Sequence, residues 1–529
     1  MLSPYCAADE VTVDLMPRSQ CPQEIRLYPM SYVIGIDAGT ESARAFVFDL
    51  HGCPAGVGVS NYVTTFPATG RAEQDPADWW LAIGDAVRMA VKNANVSPSD
   101  IKAIGLDTTS CTVVLLDREM QPLRSALIWM DVRAAREAAD VLATGDPALV
   151  INSAGHGPVS AEWMIPKALW LKRNEREIFD RAYGVCEFID FLNYHLTGHF
   201  VASGDTTAMR WHYVKANGGR PDSLLKKLDL EELIEKWPQQ VIFPGDTVGG
   251  LTRAAANHLG LLPDTPVVQG GADAFIGIIG LGVISPGQLA LITGSSHLQL
   301  ALSDKPIHKR GLWGSYSDCV YRGDHVLEGG QTSTGSILKW FTTNFSPNVD
   351  YKCLDAAASK IEPGAEGLLV LDHFQGNRTP YTDPNSRGAV IGLSLAHTPA
   401  HVFRAVIEGI CFGTEAILRA FQDDRFKISE IVICGGATKS NLWLQTHADV
   451  SGIPLKLTEV PDAPALGSAI LAAHGANLYR TVEEGATAMV RTKGVVEPDE
   501  KKHRRYQELY PAYNELYPAT KQVRKSLLI

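Results

Sequence analysis

The sequence predicts an α/β protein of two duplicated domains facing each other across a cleft, and three observations carry the prediction. The chain has 529 residues, whereas a single hydrophobic core stops growing at about 250–300 residues. Each half opens on one pattern, an apolar strand, a turn of glycine and hydroxyl residues, and a second strand. Each half then supplies a helix that starts at an Asp or Thr followed by Pro, and a later strand that runs into small or hydroxyl residues.

In the first half, Tyr32-Val-Ile-Gly-Ile-Asp37 is a strand, Ala38-Gly-Thr-Glu-Ser-Ala43 a tight turn, and Arg44-Ala-Phe-Val-Phe-Asp49 the returning strand. Backbone N–H groups in such a turn can point at an anion. Asp75 is a natural N-cap, with Pro76 at N1, where a missing N–H does no harm. Trp80, Ile83, Val87 and Val91 follow at helical spacing and are expected to face inward. Residues 101–110 form a strand entering a hydroxyl-rich loop. In the second half, Gln288-Leu-Ala-Leu-Ile-Thr-Gly-Ser-Ser296 and His297-Leu-Gln-Leu-Ala-Leu302 repeat the strand, turn and strand. A helix from Thr398-Pro399 turns Phe403, Val406, Ile410 and Ile417 inward, and Ile431-Val-Ile-Cys-Gly-Gly436 is again a strand ending in small residues. The boundary falls within 265–285, giving an N-terminal domain over 31–272 and a C-terminal domain over 273–529. Tyr506, Tyr510, Tyr513 and Tyr517 recur at helical spacing near the end and predict a terminal helix docked by its tyrosines. Residues 1–30 lack the basic start and apolar centre of a secretory signal. They are expected to be a disordered extension or an upstream reading of a chain that begins at Met30.

Composition excludes several classes. With 48 Lys+Arg against 59 Asp+Glu and a net charge of -11, bulk charge recruits neither nucleic acid nor an anionic membrane. Small anionic ligands stay open, since local amides and a metal ion hold them. A content of 45% hydrophobic and 20% charged residues is that of a folded globular chain. No apolar run reaches the roughly 18 residues of a membrane helix. The nine cysteines contain no C-x-x-C pair and are expected to be reduced thiols in a cytoplasmic protein, mostly as core fillers. The oligomeric state is open, a homodimer being one option.

The sequence holds no P-loop, no H-E-x-x-H, no G-x-S-x-G elbow and no G-x-G-x-x-G after a strand. What remains is acids at strand ends beside glycine and hydroxyl turns. Asp37 ends a strand where Gly39-Thr40 begins; it can cap the turn or hold Mg²⁺. Asp273, in Gly270-Gly-Ala-Asp-Ala274, has neighbours too small to shield it, as a general base needs, although an ordinary Asx turn has the same look. Thr293-Gly-Ser-Ser296 can cradle phosphate or simply close a hairpin. Gly435-Gly436, with Asn441 beyond, can admit a flat ring against bare backbone or merely lead into a helix. Together, two phosphate-type turns, an acid for a metal and an acid for a base describe a cleft that brings a nucleotide to a hydroxyl group.

These residues resemble the FGGY carbohydrate kinases, sugar kinases on the duplicated actin-like, ribonuclease-H-like fold. The resemblance runs from Tyr32 to Tyr517 and rests on Gly35-Ile-Asp-Ala-Gly-Thr40, Gly271-Ala-Asp-Ala274, Thr293-Gly-Ser-Ser296, Gly376-Asn-Arg-Thr-Pro380, Gly392-Leu-Ser-Leu395 and Cys434-Gly-Gly-Ala437. It implies that Asp37 organises Mg²⁺ and ATP and that Asp273 is the base. It places the phosphates at Gly39, Thr40, Gly294 and Ser295, and the adenosine at Gly435 and Gly436 with Asn441 nearby. Asp107-Thr-Thr-Ser-Cys-Thr112, Ser160-Ala-Glu-Trp163 and Glu328-Gly-Gly-Gln331 resemble the ribulokinase branch, which puts Ser110 and Glu328 at the sugar. Trp129-Met-Asp131-Val-Arg133 is similar to D-ribulose kinases and adds Asp131. Arg210 stands where ribulokinases carry a lysine, and its forked guanidinium is no neutral replacement. The implied reaction is ATP-dependent phosphorylation of the terminal hydroxyl of a ketopentose, D-ribulose first. L-ribulose, xylulose, erythritol and autoinducer kinases share the scaffold, and a non-catalytic sugar or nucleotide sensor is the rival from another class.

Overall fold

The computed structural model describes residues 31–423, 426–459 and 462–527. The extension expected over residues 1–30 lies outside them.

The first half contributes β1 (Tyr32–Ala38), β2 (Ser42–Asp49), β3 (Pro54–Asn61), α1 (Pro76–Ala94), β4 (Ile101–Thr108), α2 (Gly204–Arg210), β5 (Thr247–Gly250) and β6 (Pro266–Val268). Next come α3 (Asp273–Gly280), β7 (Gln288–Thr293), β8 (His297–Ser303), β9 (Gly314–Ser317), β10 (His325–Gln331) and α4 (Pro399–Phe421). The chain continues through β11 (Glu430–Gly435), α5 (Asn441–Ser451), β12 (Leu455–Thr458), α6 (Ala463–Gly475), β13 (Thr492–Val496) and α7 (Glu500–Leu527).

Two mixed sheets carry the duplication in their hydrogen bonding. The first runs β5-β6-β4-β1-β2-β3 and the second β9-β10-β8-β7-β11-β12-β13. In the first, β1, β2 and β3 form an antiparallel meander, β4 and β6 continue parallel to β1, and β5 closes the edge antiparallel. In the second, β7, β8 and β10 repeat the meander, β11 and β12 the parallel pair, and β13 the antiparallel edge. Parallel central strands need cover on both faces. Accordingly every residue of β1 is buried.

Local signals explain the helices. Asp75 caps α1 by accepting from the Ala77 N–H at 2.9 Å. Ile83, Val87 and Val91 are buried as expected, but Trp79 takes the core position expected for Trp80. The Trp79 indole finds a buried acceptor, Gln74 Oε1 at 2.9 Å. Trp80 instead stays half-buried and stacks on His258 with ring centres 4.4 Å apart. Phe403, Val406, Ile410 and Ile417 of α4 all point into the second core. The four tyrosines of α7 are buried, with Tyr506 donating to Glu408 at 2.9 Å and Tyr513 to Asp372 at 2.7 Å.

The halves are joined closely. Helix α6, from the second half, lies on β1 and β4 of the first sheet. A Cβ on Gly35 would sit 1.8 Å from the Ala465 carbonyl oxygen, and one on Gly105 1.9 Å from that of Ser468. Only glycine permits this approach. Among the described residues six cysteines are free thiols, four of them buried, whereas Cys53 is disulfide-bonded, which departs from the expectation of reduced thiols. No helix among the described residues is long and apolar enough to cross a membrane.

Candidate active site

The acids at the strand ends gather around one guanidinium. Asp37 and Asp107 are register partners on β1 and β4, so the parallel pairing sets their carboxyls side by side. Arg44 of β2 pairs with Asp37 and reaches Asp462, the N-cap of α6, at 3.0 Å. Burial, reinforced by the Asp462 charge and opposed by Arg44, pushes Asp37 up to about 7. Burial and the Asp37 charge raise Asp107 well above the usual carboxylate range. Asp37 Oδ1 and Asp107 Oδ1 are buried without a donor. Such oxygens suit a shared proton or a hydrated cation. Among the described residues no three His, Cys, Asp or Glu side chains converge as a self-sufficient metal site. The two unpartnered carboxylate oxygens of Asp37 and Asp107 are donors of the kind that fits Mg²⁺, which keeps several waters and takes one or two carboxylates besides phosphate oxygens.

Hydrogen bonds close and brace the two glycine turns. Gly39 N–H closes the first turn on the Ser42 carbonyl at 3.0 Å, and Trp129 Nε1 donates to Thr40 Oγ1 at 3.0 Å. Gly294 N–H closes the second on Ser296 O at 2.9 Å, and Thr334 N–H holds Ser295 O from behind at 2.9 Å. Gly294, Ser295, Gly435, Gly436 and Asn441 are all exposed. Gly435 lies at φ 88°, and a Cβ there would be 1.9 Å from the Thr293 carbonyl oxygen, so β11 can leave the sheet beside β7 only as glycine.

Two cavities meet at Asp273. One, of about 520 Å³, is lined by Arg44, Asp273, Gly277, Gly435, Asp462 and Lys493. The other, of about 530 Å³, is lined by Ser110, Trp129, Trp163, Arg210, Glu328 and Arg378, with Asp273 again in its wall. Asp273 is the first residue of α3, where the helix dipole favours a carboxylate. Burial pushes it up to about 6, partly offset by the Ala274 N–H and Arg44. In the second cavity Arg210 forks onto both Glu328 oxygens at 3.0 Å, and Tyr316 O–H donates to Glu328 Oε2 at 2.7 Å.

Residues 32–280 match the N-terminal domain of the FGGY family of carbohydrate kinases, and residues 289–476 match its C-terminal domain. The chain belongs to the FGGY family of carbohydrate kinases. Among relatives of this FGGY kinase, a ribulokinase of Shouchella clausii is 30% identical, the match covering 90% of this chain and 93% of the relative. An FGGY carbohydrate kinase domain-containing protein of Xenopus laevis is 31% identical over 90% of this chain and 95% of its own. The crystal structure of xylulose kinase from Rhodospirillum rubrum superposes with a TM-score of 0.83 at 27% identity, covering 93% of this chain and 99% of that one.

In this FGGY kinase, Ser110, Arg210, Glu328 and Thr40 share the second cavity with Asp273, and Gly435 lines the first. Asp37 lies beneath the first turn, while Gly39, Gly294, Ser295, Gly436 and Asn441 line neither cavity wall. Asp131, expected at the sugar, also lines neither. It is fully buried, accepts from the Ala72 N–H at 2.8 Å and pairs with Arg133 at 2.7 Å, so its lone pairs serve the Trp129 turn. Arg44, Asp462, Lys493 and Arg378 were given no role from the sequence. Arg44 had a signal, a charge in an otherwise apolar strand, and Asp462-Ala463-Pro464 had one too, an N-cap followed by Pro.

Proposed function

We propose that this kinase transfers the γ-phosphate of ATP to the terminal hydroxyl of a ketopentose, with D-ribulose as the favoured acceptor. The observation that carries this reading is the position of Asp273 in the wall common to both cavities. A base between two pockets can reach an acceptor hydroxyl in one while the phosphate arrives from the other. The polyol occupies the cavity of Ser110, Glu328 and Arg210, and the triphosphate approaches from the side of Gly435 and Lys493. The hydroxyl oxygen forms the new bond to phosphorus as the bond to the ADP oxygen breaks, and its proton passes to an Asp273 oxygen. The Thr40 and Ser295 residues of the two turns supply amides and hydroxyls for the developing charge, the Gly39 and Gly294 N–H groups being used within the turns, and Arg44 fixes the carboxyls beside it. Asp37 would hold Mg²⁺, which would neutralise charge on the phosphates when bound. Arg210 and Tyr316 lock the Glu328 carboxylate, which leaves it one orientation for hydrogen bonds to the sugar.

A ketopentose fits relatives named ribulokinase, and the likeness to a xylulose kinase favours xylulose as the second acceptor. A panel of D-ribulose, L-ribulose, D-xylulose and erythritol with coupled detection of ADP tests both. The highest kcat/KM is expected for D-ribulose. Turnover confined to a non-pentulose acceptor would sink the reading.

A further inference from the structure

A third cavity, of about 280 Å³, lies behind the sugar cavity and has no part in the mechanism above. Its floor is apolar, from Pro147, Val150 and Pro221, and its polar groups are His212, Asn217, Arg220 and Ser223. His212 is 1% exposed, and neither ring nitrogen has a hydrogen-bond partner. A buried polar ring without partners asks for an occupant or an explanation. Burial and the nearby Arg210 charge hold His212 down to about 4, so it is neutral and offers one N–H and one lone pair. Arg220 lines the cavity, donates only to amide oxygens, at 3.1–3.5 Å, and is stacked on Trp237, so its charge has no carboxylate partner among the described residues. The neighbouring acid, Asp146, is already satisfied by Lys227 at 3.0 Å, the Ser223 hydroxyl at 3.0 Å and the Ala148 N–H at 3.0 Å.

The pocket shares a wall with the sugar cavity. The Trp163 indole has the Arg210 guanidinium 5.7 Å from its centre, and the His212 ring meets it at 5.8 Å with planes 63° apart. Arg210 and His212 are separated only by Trp211, and His212 stands at φ 56°, in the left-handed region that non-glycine residues rarely occupy. A group seated on His212 therefore presses on Trp163 and, through the same short segment, on the Arg210–Glu328 pair.

We propose that this pocket, formed by His212, Asn217, Arg220 and Ser223 against an apolar floor, binds a small phosphate-bearing metabolite and transmits its presence to the sugar cavity through Trp163. A phosphate oxyanion matches a guanidinium that has no carboxylate partner, with the neutral His212 ring and the Asn217 amide as further donors, and the volume admits a molecule no larger than a small sugar phosphate. The coupling to sugar affinity rests on the carbohydrate reading above; the binding itself does not.

The experiment titrates inorganic phosphate and D-ribulose 5-phosphate by calorimetry into the full chain with ADP and sugar at saturation. It is repeated on Arg220→Ala and Asn217→Ala, and the sugar KM is measured with and without the tighter probe. One site is expected in the wild type, weakened at least tenfold in Arg220→Ala. A shift in sugar KM of threefold or more is expected, lost in Arg220→Ala, whose KM without probe stays that of the wild type. Tighter binding of the sugar phosphate identifies the polyol as part of the ligand, and equal binding assigns recognition to the phosphate alone. No binding of either probe, equal binding by the variants, or a KM shift that survives Arg220→Ala overturns the proposal. Binding without any KM shift overturns the coupling. If no pentulose is turned over, the substrate reading fails while calorimetry without sugar still decides the pocket.

Discussion

In the proposed mechanism, replacing Asp273 by Asn removes the proton acceptor and little else. The carboxyl contributes one local bond, accepting from the Ala274 N–H at 2.6 Å, which the Asn carbonyl reproduces. No salt bridge is lost, so the first turn of α3 and the volume of both cavities stay as they are. A positioned general base contributes about 10²- to 10⁴-fold to a reaction of this kind. At 1.36 kcal/mol per tenfold, that is a loss of about 3–5.5 kcal/mol of transition-state stabilisation. Steady-state turnover followed by coupled ADP release should fall by that factor, while sugar affinity, read from tryptophan fluorescence through Trp129 and Trp163, should stay within about twofold. The wild-type pH profile gives an independent check. Asp273 is raised to about 6, so it is an active carboxylate above that value and protonated below it. kcat/KM is therefore expected to fall about tenfold per pH unit below 6. The assignment is refuted if Asp273→Asn keeps turnover near the wild-type rate, or if kcat/KM is flat to pH 4.5.

Four further variants probe the rest of the cleft. Gly435→Ala forces a Cβ to 1.9 Å from the Thr293 oxygen at φ 88°, costing about 1–3 kcal/mol of strain; nucleotide KM should rise at least several-fold with sugar KM unchanged. Arg210→Ala strands Glu328 as a buried charge and should destabilise the fold by about 3–5 kcal/mol, seen in denaturant unfolding. The Arg210→Met, Glu328→Leu pair should restore stability but not sugar turnover. Trp129→Phe deletes the 3.0 Å bond to Thr40, worth about 0.5–1.5 kcal/mol; kcat/KM should drop up to about tenfold with an unchanged melting temperature.

The duplicated strand, turn and strand was legible because short continuous apolar runs flanking glycine turns read as buried strands, and both sheets are built on those runs. Phase was harder to read. Trp79 and Trp80 are adjacent, either can face a core at helical spacing, and only the buried acceptor on Gln74 decides between them. The site divides in the same way. Asp37, Asp273 and the glycine turns are local signals. Arg44 and Asp462 meet only because α6 returns across the first sheet, a contact that no window of sequence contains. Asp131 shows the opposite failure. Its spacing to Arg133 is visible, but the sequence does not say that Arg133 and the Ala72 N–H use its oxygens.

The electrostatics of the cleft also constrain which form of the nucleotide it can accept. Asp37, Asp107, Asp273 and Asp462 act on one another across a buried space in which Arg44 is ion-paired with Asp37 and Asp462. Two unit charges about 4 Å apart interact with about 4 kcal/mol at an effective dielectric constant near 20. A bare triphosphate entering beside these acids meets repulsion that Arg44 and the rim residue Lys493 are too few to cancel. The raised positions of Asp37 and Asp107 express the same excess, since both hold protons more tightly than free carboxyls do. The proposed reading resolves this if the triphosphate arrives together with a divalent cation. In that reading the acids that repel a free nucleotide select the metal-bound one, and Asp273, in the wall of both cavities, is the carboxylate proposed to face the acceptor.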